Sequence, residues 1–179
     1  ERIAHYAEQM VAAATRTTST WREGQVLDLH VAMMDLAREV VATTLFSSEV
    51  GRAAEDVADA LDVLMARHSD WRYLLVPALG RLPLAANRRF DAARAQLFAL
   101  VDGIIAERRR SGEDRRDLLS MLLAARDEDG AAMSDAQLRD EVLILFLVGH
   151  ETTALVLSWT FVLLSQHPEA WTRLAAEVD

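Results

Sequence analysis

The chain has no cysteine and no lysine, three prolines, seven glycines and only 6% aromatic residues among its 179 positions. Without Cys there is no disulfide framework, so the redox compartment is not legible and secretion gains no support. Thiolate metal sites, iron–sulfur clusters included, are excluded from these residues for the same reason. Scarce Pro and Gly leave little material for the many turns of an all-β fold. Apart from histidine every basic side chain is Arg, and 28 acids against 19 arginines give a net charge of −9. That balance argues against a nucleic-acid partner, which would show a basic stripe. Apolar surface is what the chain does have. At 51% hydrophobic it can build a core, which a disordered acidic tail cannot. The composition indicates an all-α, soluble chain forming one domain or part of one.

Residues 1–20 carry charges throughout and lack an apolar h-region, so no signal peptide is read there. The chain opens at Glu1 without an initiator Met and stops at Asp179 in a helical pattern without a Gly or Asn C-cap. It is therefore expected to be cut from something longer. The segment Val142 to Leu164 has the length of a bilayer span. Glu151 near its middle would cost roughly 2.5–3.5 kcal/mol on insertion scales, and both flanks are ordinary charged helix. A helix apolar all round is more simply one buried in a large protein, and no membrane is expected.

Helical spacing of Ile3, Tyr6, Ala7, Met10, Val11 and Ala14 predicts a first helix over 1–20. A turn at Trp21–Gly24 follows, then a helix N-capped by Asp28 and running to about Phe46. A break at Ser47–Gly51 precedes a third helix, roughly 53–68. Residues 69–86 contain Pro77, Pro83, Gly80 and the apolar Trp71, Tyr73, Leu74 and Leu84, which predicts a long apolar loop. It is either functional or a connection packed on the core. Asn87 is expected to cap a helix reaching about Arg110. The run 107–117, ERRRSGEDRRD, is expected to be a solvated helix end and turn, with a short helix after it to about 126. Ser134 and Gln137 form a capping box, and nothing stops the helix they start until His167-Pro168. Residues 135–166 would span about 48 Å at 1.5 Å per residue, against about 40 Å for a compact body of this chain length. Such a helix wants cover on all sides that this chain alone does not supply.

In the middle of that helix stand V-G-H-E-T-T, residues 148–153. Polar residues inside a buried helix are costly unless partnered. A zinc-protease H-E-x-x-H fails on one residue, because Ala154 stands where the second His belongs. Leu145, Val148, Gly149, Thr152 and Val156 share a face, on which Gly149 would clear room for a flat or bulky ligand. Thr152 would present a hydroxyl beside that room, or bond back to the carbonyl of Val148. Glu151, about 100° round, would face a layer that solvent can reach. The spacing leaves two readings open. One is a proton relay of acid and alcohol beside a cleared patch. The other is a helix-packing Gly with back-bonded threonines and a structurally paired Glu.

V-G-H-E-T-T resembles the A/G-G-x-D/E-T-T/S signature of the long distal helix, helix I, of cytochromes P450. WREGQVLDLHVAMMDLAREVVATTLF resembles helices D–E of that family, and LPLAANRRFDAARAQLFALVDGIIAERRR its F–G connection and helix G. DLLSMLLAARDEDG resembles helix H and HPEAWTRLAAEVD the start of helix J. The resemblance implies an all-α, P450-like fragment spanning residues 1–179, approximately helices D to J, built around one long central helix at about 135–166. It implies a soluble, cytoplasmic haem-thiolate monooxygenase of bacterial type, acting on a small organic substrate with dioxygen. NAD(P)H-derived electrons would come through a ferredoxin or flavin reductase. Thr152 would be the distal alcohol that hydrogen-bonds dioxygen at the iron or its water, and Glu151 the acid that relays protons for O–O cleavage. Val148, Gly149 and Thr152 would contact the haem, Leu145, Leu147 and Val148 would border the substrate, and 69–86 would roof the pocket. Val148 departs from the family's usual Ala or Gly and would crowd the haem face.

The Cys that ligates iron in this family is absent, and no E-x-x-R occurs in its helix K context; Glu113 and Arg116 lie on a charged turn. By themselves these residues are expected to bind no haem and no metal and to be inactive. The alternative is a haem-free helical interaction module that buries its long apolar helix by forming a homo-oligomer.

Overall fold

The computed structural model describes residues 2–47, 51–68 and 70–178. It is all-α: α1 (Arg2–Ser19), α2 (Leu29–Phe46), α3 (Gly51–His68), α4 (Trp71–Leu75), a 3-10 turn (Pro77–Arg81), α5 (Ala85–Ser111), α6 (Leu118–Ala124), α7 (Asp135–Gln166) and α8 (Pro168–Val178). Caps account for many of these boundaries. The Asp28 carboxylate accepts from the amide of Val31 at the start of α2. At the start of α7 the capping box closes in both directions, with Ser134 N donating to Gln137 Oε1 at 3.0 Å and Gln137 N to Ser134 Oγ at 3.3 Å. Pro168 opens α8 where its missing N–H is not needed. The expected break at Ser47–Gly51 falls largely on 48–50, outside the described residues.

Two expectations are corrected between α3 and α5. Residues 69–86 are not one long loop but α4 and the 3-10 turn, because Asp70 caps the first and Pro77 starts the second. Asn87 does not cap α5, which begins two residues earlier. Its side chain is buried and its amide donates at 2.7 Å to the carbonyls of both Leu79 and Leu82, tying down the 3-10 turn.

The helices form two compact units. One holds α1, α2 to Val41, α7 from Val148, and α8. Its core is made of small residues, Ala32, Ala37 and Ala154 with Met33, backed by Trp21, Leu29, Leu157 and Phe161. Small side chains at Ala32, Ala37, Gly149 and Ala154 let α2 and α7 come close.

The other unit runs from Ala42 to Leu147. Its core includes Phe46, Val57, Leu97, Val101, Ile105, Leu119, Leu138, Val142 and Phe146, with the Phe46 and Phe146 ring centroids 6.4 Å apart. Here the solvated reading of 107–117 holds for residues 109–114 and 116, which are exposed, and fails at two positions. Arg108 and Asp117 from that run are each 2% exposed. Arg108 Nη1 donates at 2.9 Å to both Asp117 oxygens and to Ser120 Oγ, and Nη2 reaches the Phe46 carbonyl. Asp117 also accepts from the amide of Ser120, capping α6. Residues 97, 101, 105 and 108 follow the helical stripe, so Arg108 is carried inward by the same period that buries its apolar predecessors.

Candidate functional site

α7 carries the motif, and helical geometry sets what each motif residue meets. Buried positions fall on one side: His150, Ala154 and Ser158 follow one another at i+4 and are covered by their own unit. Ser158 Oγ donates to the Ala154 carbonyl at 2.7 Å and lies 3.5 Å from His30 Nδ1. On the opposite side Leu145, Val148, Thr152, Val156, Trp159 and Leu163 fall within an arc of about 80° at 100° per residue. All six are exposed, Val148 at 56% and Trp159 at 58%. The apolar face for which cover was expected is therefore present and uncovered by these residues. α7 has the length and composition of a membrane-crossing helix, and 28% of its most apolar window is buried.

Thr152 stands in the middle of that face. Its hydroxyl donates to the Val148 carbonyl at 2.5 Å, and Thr153 donates to that of Gly149 at 2.8 Å. With the proton turned back on the helix, Thr152 Oγ1 offers its lone pairs outward and acts as an acceptor. Glu151 is exposed, about 100° round from Thr152. Leu147 is half-buried and lies about 140° from Thr152 on helical geometry, so it does not share the uncovered face with Leu145 and Val148.

Gly149 needs a correction. Its missing side chain does not clear room for a ligand, because a Cβ there would stand 2.9 Å from Val41 Cγ2. That space belongs to α2, and the position is rotated off the Val148–Thr152 face onto the flank where the helices meet. A shallow apolar cleft of about 400 Å³ lies farther along, lined by Phe161, Leu164, Ser165, Pro168 and Trp171 at the α7–α8 corner.

The cytochrome P450 family model matches residues 1–179. The chain belongs to the cytochrome P450 family. It is 39% identical to cyclooctatin synthase of Streptomyces melanosporofaciens over 183 residues, covering 99% of this chain and 39% of that protein. It is 37% identical to pentalenene oxygenase of Streptomyces avermitilis, again over 99% of this chain and 39% of the relative. The crystal structure of the cytochrome P450DA haem domain superposes with a TM-score of 0.82 at 29% identity, covering all of this chain and 40% of that one. The chain thus spans about two fifths of the length of these P450s.

Haem asks two things of a P450: an apolar wall against its face and an axial ligand for its iron. Leu145, Val148 and Val156 around Thr152 suit one side of a flat, largely apolar macrocycle. The Cys thiolate that serves as that ligand in this family is not among these residues. The sequence has no Cys, and among the described residues no three His, Asp or Glu gather where a metal ion could sit.

Proposed function

We propose that the chain is the distal part of a haem-thiolate monooxygenase that places one atom of dioxygen into an apolar organic substrate. NAD(P)H-derived electrons would reach it through a ferredoxin or flavin reductase. The observation that carries this reading is the uncovered face of α7, on which Thr152 stands among Leu145, Val148 and Val156. Haem, when bound, supplies the activation of oxygen. Its thiolate and the E-x-x-R helix would belong to polypeptide beyond these 179 residues, so the chain alone is expected to bind no haem and to be inactive.

Within that reading, Val148 and Thr152 border the haem, and at Gly149 only backbone is available to it. Leu145 and Val148 form the substrate wall, with Leu147 behind them. Thr152, its own proton given to the Val148 carbonyl, steadies a protonated group or a water over the face by accepting from it. Glu151, in contact with solvent, takes up protons and passes them toward that face. A wall of Leu and Val suits a hydrocarbon substrate, by analogy with the pentalenene in the name of one relative. The enzyme works in the cytoplasm.

The test is the absorbance of the full-length parent reduced under carbon monoxide. A thiolate-type Soret shift is expected, and its absence would reject the assignment.

A second reading applies to the chain by itself. Leu155, Val156, Trp159 and Leu163 are exposed in series on α7, and an apolar face of that length favours burial against a second copy. Light scattering at the monomer mass, with little binding of an apolar dye, would reject self-association.

A further inference from the structure

Arg67 lies in the last turn of α3, half-buried, with aromatic rings set against its guanidinium. Its Cζ is 4.5 Å from the ring centroid of Tyr73 in α4 and 4.1 Å from that of Phe90 in α5. The 3-10 turn adds a further wall: a Cβ on Gly80 would stand 2.9 Å from Arg67 Nη2 and push the guanidinium aside. Elements from both sides of the connection converge on this one cation.

Rings hold a cation through their faces, but they do not accept from N–H groups lying in the guanidinium plane. Among the described residues no carboxylate or carbonyl takes those N–H groups, and none of the Arg67 nitrogens is among the buried atoms without a partner. They are open to solvent. The carboxylate nearest in sequence, Asp70, is committed elsewhere. It accepts from the Arg72 side chain three times, from Nε at Oδ1 (2.9 Å) and Oδ2 (3.2 Å) and from Nη2 at Oδ2 (2.7 Å), and from the Arg72 amide as well.

Before Arg67, α3 carries Glu55, Asp56, Asp59 and Asp62, whereas the sequence after it is basic. From Arg67 to Arg94 the chain carries six arginines against Asp70 and Asp91, in a protein whose net charge is −9. Arg88 is turned to the Pro83 carbonyl, while the Arg81 and Arg89 residues are exposed. A local positive field in an acidic protein gathers anions. A guanidinium whose rotamers are already restricted by rings loses less freedom on pairing than a mobile surface Arg. Its planar fork matches a carboxylate or a phosphate through two parallel N–H···O bonds.

We propose that Arg67 is the centre of an oxyanion-binding site, framed by Tyr73, Gly80 and Phe90, that takes the carboxylate or phosphate of a ligand. The site lies in the unit running from Ala42 to Leu147 and is independent of the chemistry assigned to α7.

The test titrates the chain with inorganic phosphate and with acetate, at ionic strength held constant with chloride. It follows the Arg67 Nε–Hε resonance and thermal stabilisation. A saturable shift at Arg67 is expected. Arg67→Gln should weaken the stabilising effect about tenfold or more, as for loss of a charge-assisted pair. Arg81→Gln, with the same loss of charge, should change it by less than about twofold, as a contribution to the general field only. Equal loss in both variants would show a diffuse field and overturn the site. Vesicles of anionic phospholipid make a third arm. Retention on them without saturation by the free anions assigns the oxyanion to a lipid headgroup, and the reverse pattern assigns it to a soluble ligand. If Arg67→Gln does not fold, the wild-type resonance decides. No saturable change at Arg67 with any of the three probes overturns the proposal.

Discussion

Gly149 of α7 packs on Val41 of α2 so closely that a Cβ at position 149 would come within 2.9 Å of a Val41 methyl. Val is stiff at χ1 in a helix and cannot swing that methyl away cheaply. Gly149→Ala should gain about 1 kcal/mol of helix propensity and lose roughly 1–3 kcal/mol to overpacking. The net expectation is destabilisation by about 1 kcal/mol. With Val41→Ala in the background the clash is gone, and the same substitution should become stabilising by about 1 kcal/mol. Urea unfolding of the four proteins of this double-mutant cycle measures it. A destabilisation that persists at full size in the Val41→Ala background would show that the methyl contact is not the cause.

The buried pair of Arg108 and Asp117 is expected to be the costliest single point in its unit. Asp117→Ala leaves a guanidinium that is 2% exposed without its carboxylate, and also removes the cap of α6. Breaking one side of a buried pair costs about 3–5 kcal/mol. A urea midpoint shift corresponding to less than about 1 kcal/mol would mean that Ser120 and the Phe46 carbonyl satisfy Arg108 by themselves.

Much of the fold was legible because its signals are local. A capping box at Ser134 and Gln137, a break at His167-Pro168 and an unbroken apolar run between them specify α7 to the residue. Exposure of Glu151 agrees with its place about 100° round from Thr152, whereas exposure of Thr152 was not legible in a helix that reads as buried. The failures share a different cause. Arg108 and Asp117 looked solvated because their neighbours in sequence are charged, while their burial comes from residues 46 and 120 in the folded unit. Gly149 looked like a cleared patch because one helix, read alone, does not show Val41 on the other. Asn87 read as a cap because Asn often is one, whereas its amide serves the carbonyls of a turn that folds back on it. Arg67 carried no motif; two aromatics at positions 73 and 90 were the only trace of its setting.

The cap at Asp70 gives a pH signature. Its hydrogen bonds from the Arg72 side chain hold the Asp70 carboxyl below its ordinary value of 3.8, although desolvation works the other way. A depressed folded-state value means that the capping interaction is complete above the ordinary carboxylate range. It is lost as pH falls through the lowered value. Carboxyl resonances followed by NMR should place the Asp70 midpoint below 3.8, and Arg72→Ala should move it back up. A midpoint unmoved by that substitution would remove Arg72 as the cause.

Thr152 is the residue on which the functional reading of α7 is most exposed to test. Its side chain is at the surface of the described structure, and its hydroxyl bonds back to its own helix at Val148. Alanine is the better helix former, so Thr152→Ala should leave thermal stability unchanged or raise it by about 0.5 kcal/mol. Any loss of function then comes from the missing oxygen and not from unfolding. In the full-length parent, supplied with its electron donor, Thr152→Ala should keep consuming electrons while product per electron falls at least about tenfold. That floor lies below the roughly 100-fold at the low end of general acid–base catalysis, because Thr152 positions the proton carrier and does not itself transfer the proton. Thr152→Ser restores an oxygen that can bond back to Val148 and still accept, and should recover coupling to within about threefold. Product and electron consumption measured together separate the cases. Coupling that stays at the wild-type level in Thr152→Ala removes the hydroxyl from the chemistry and leaves it as a helix back-bond.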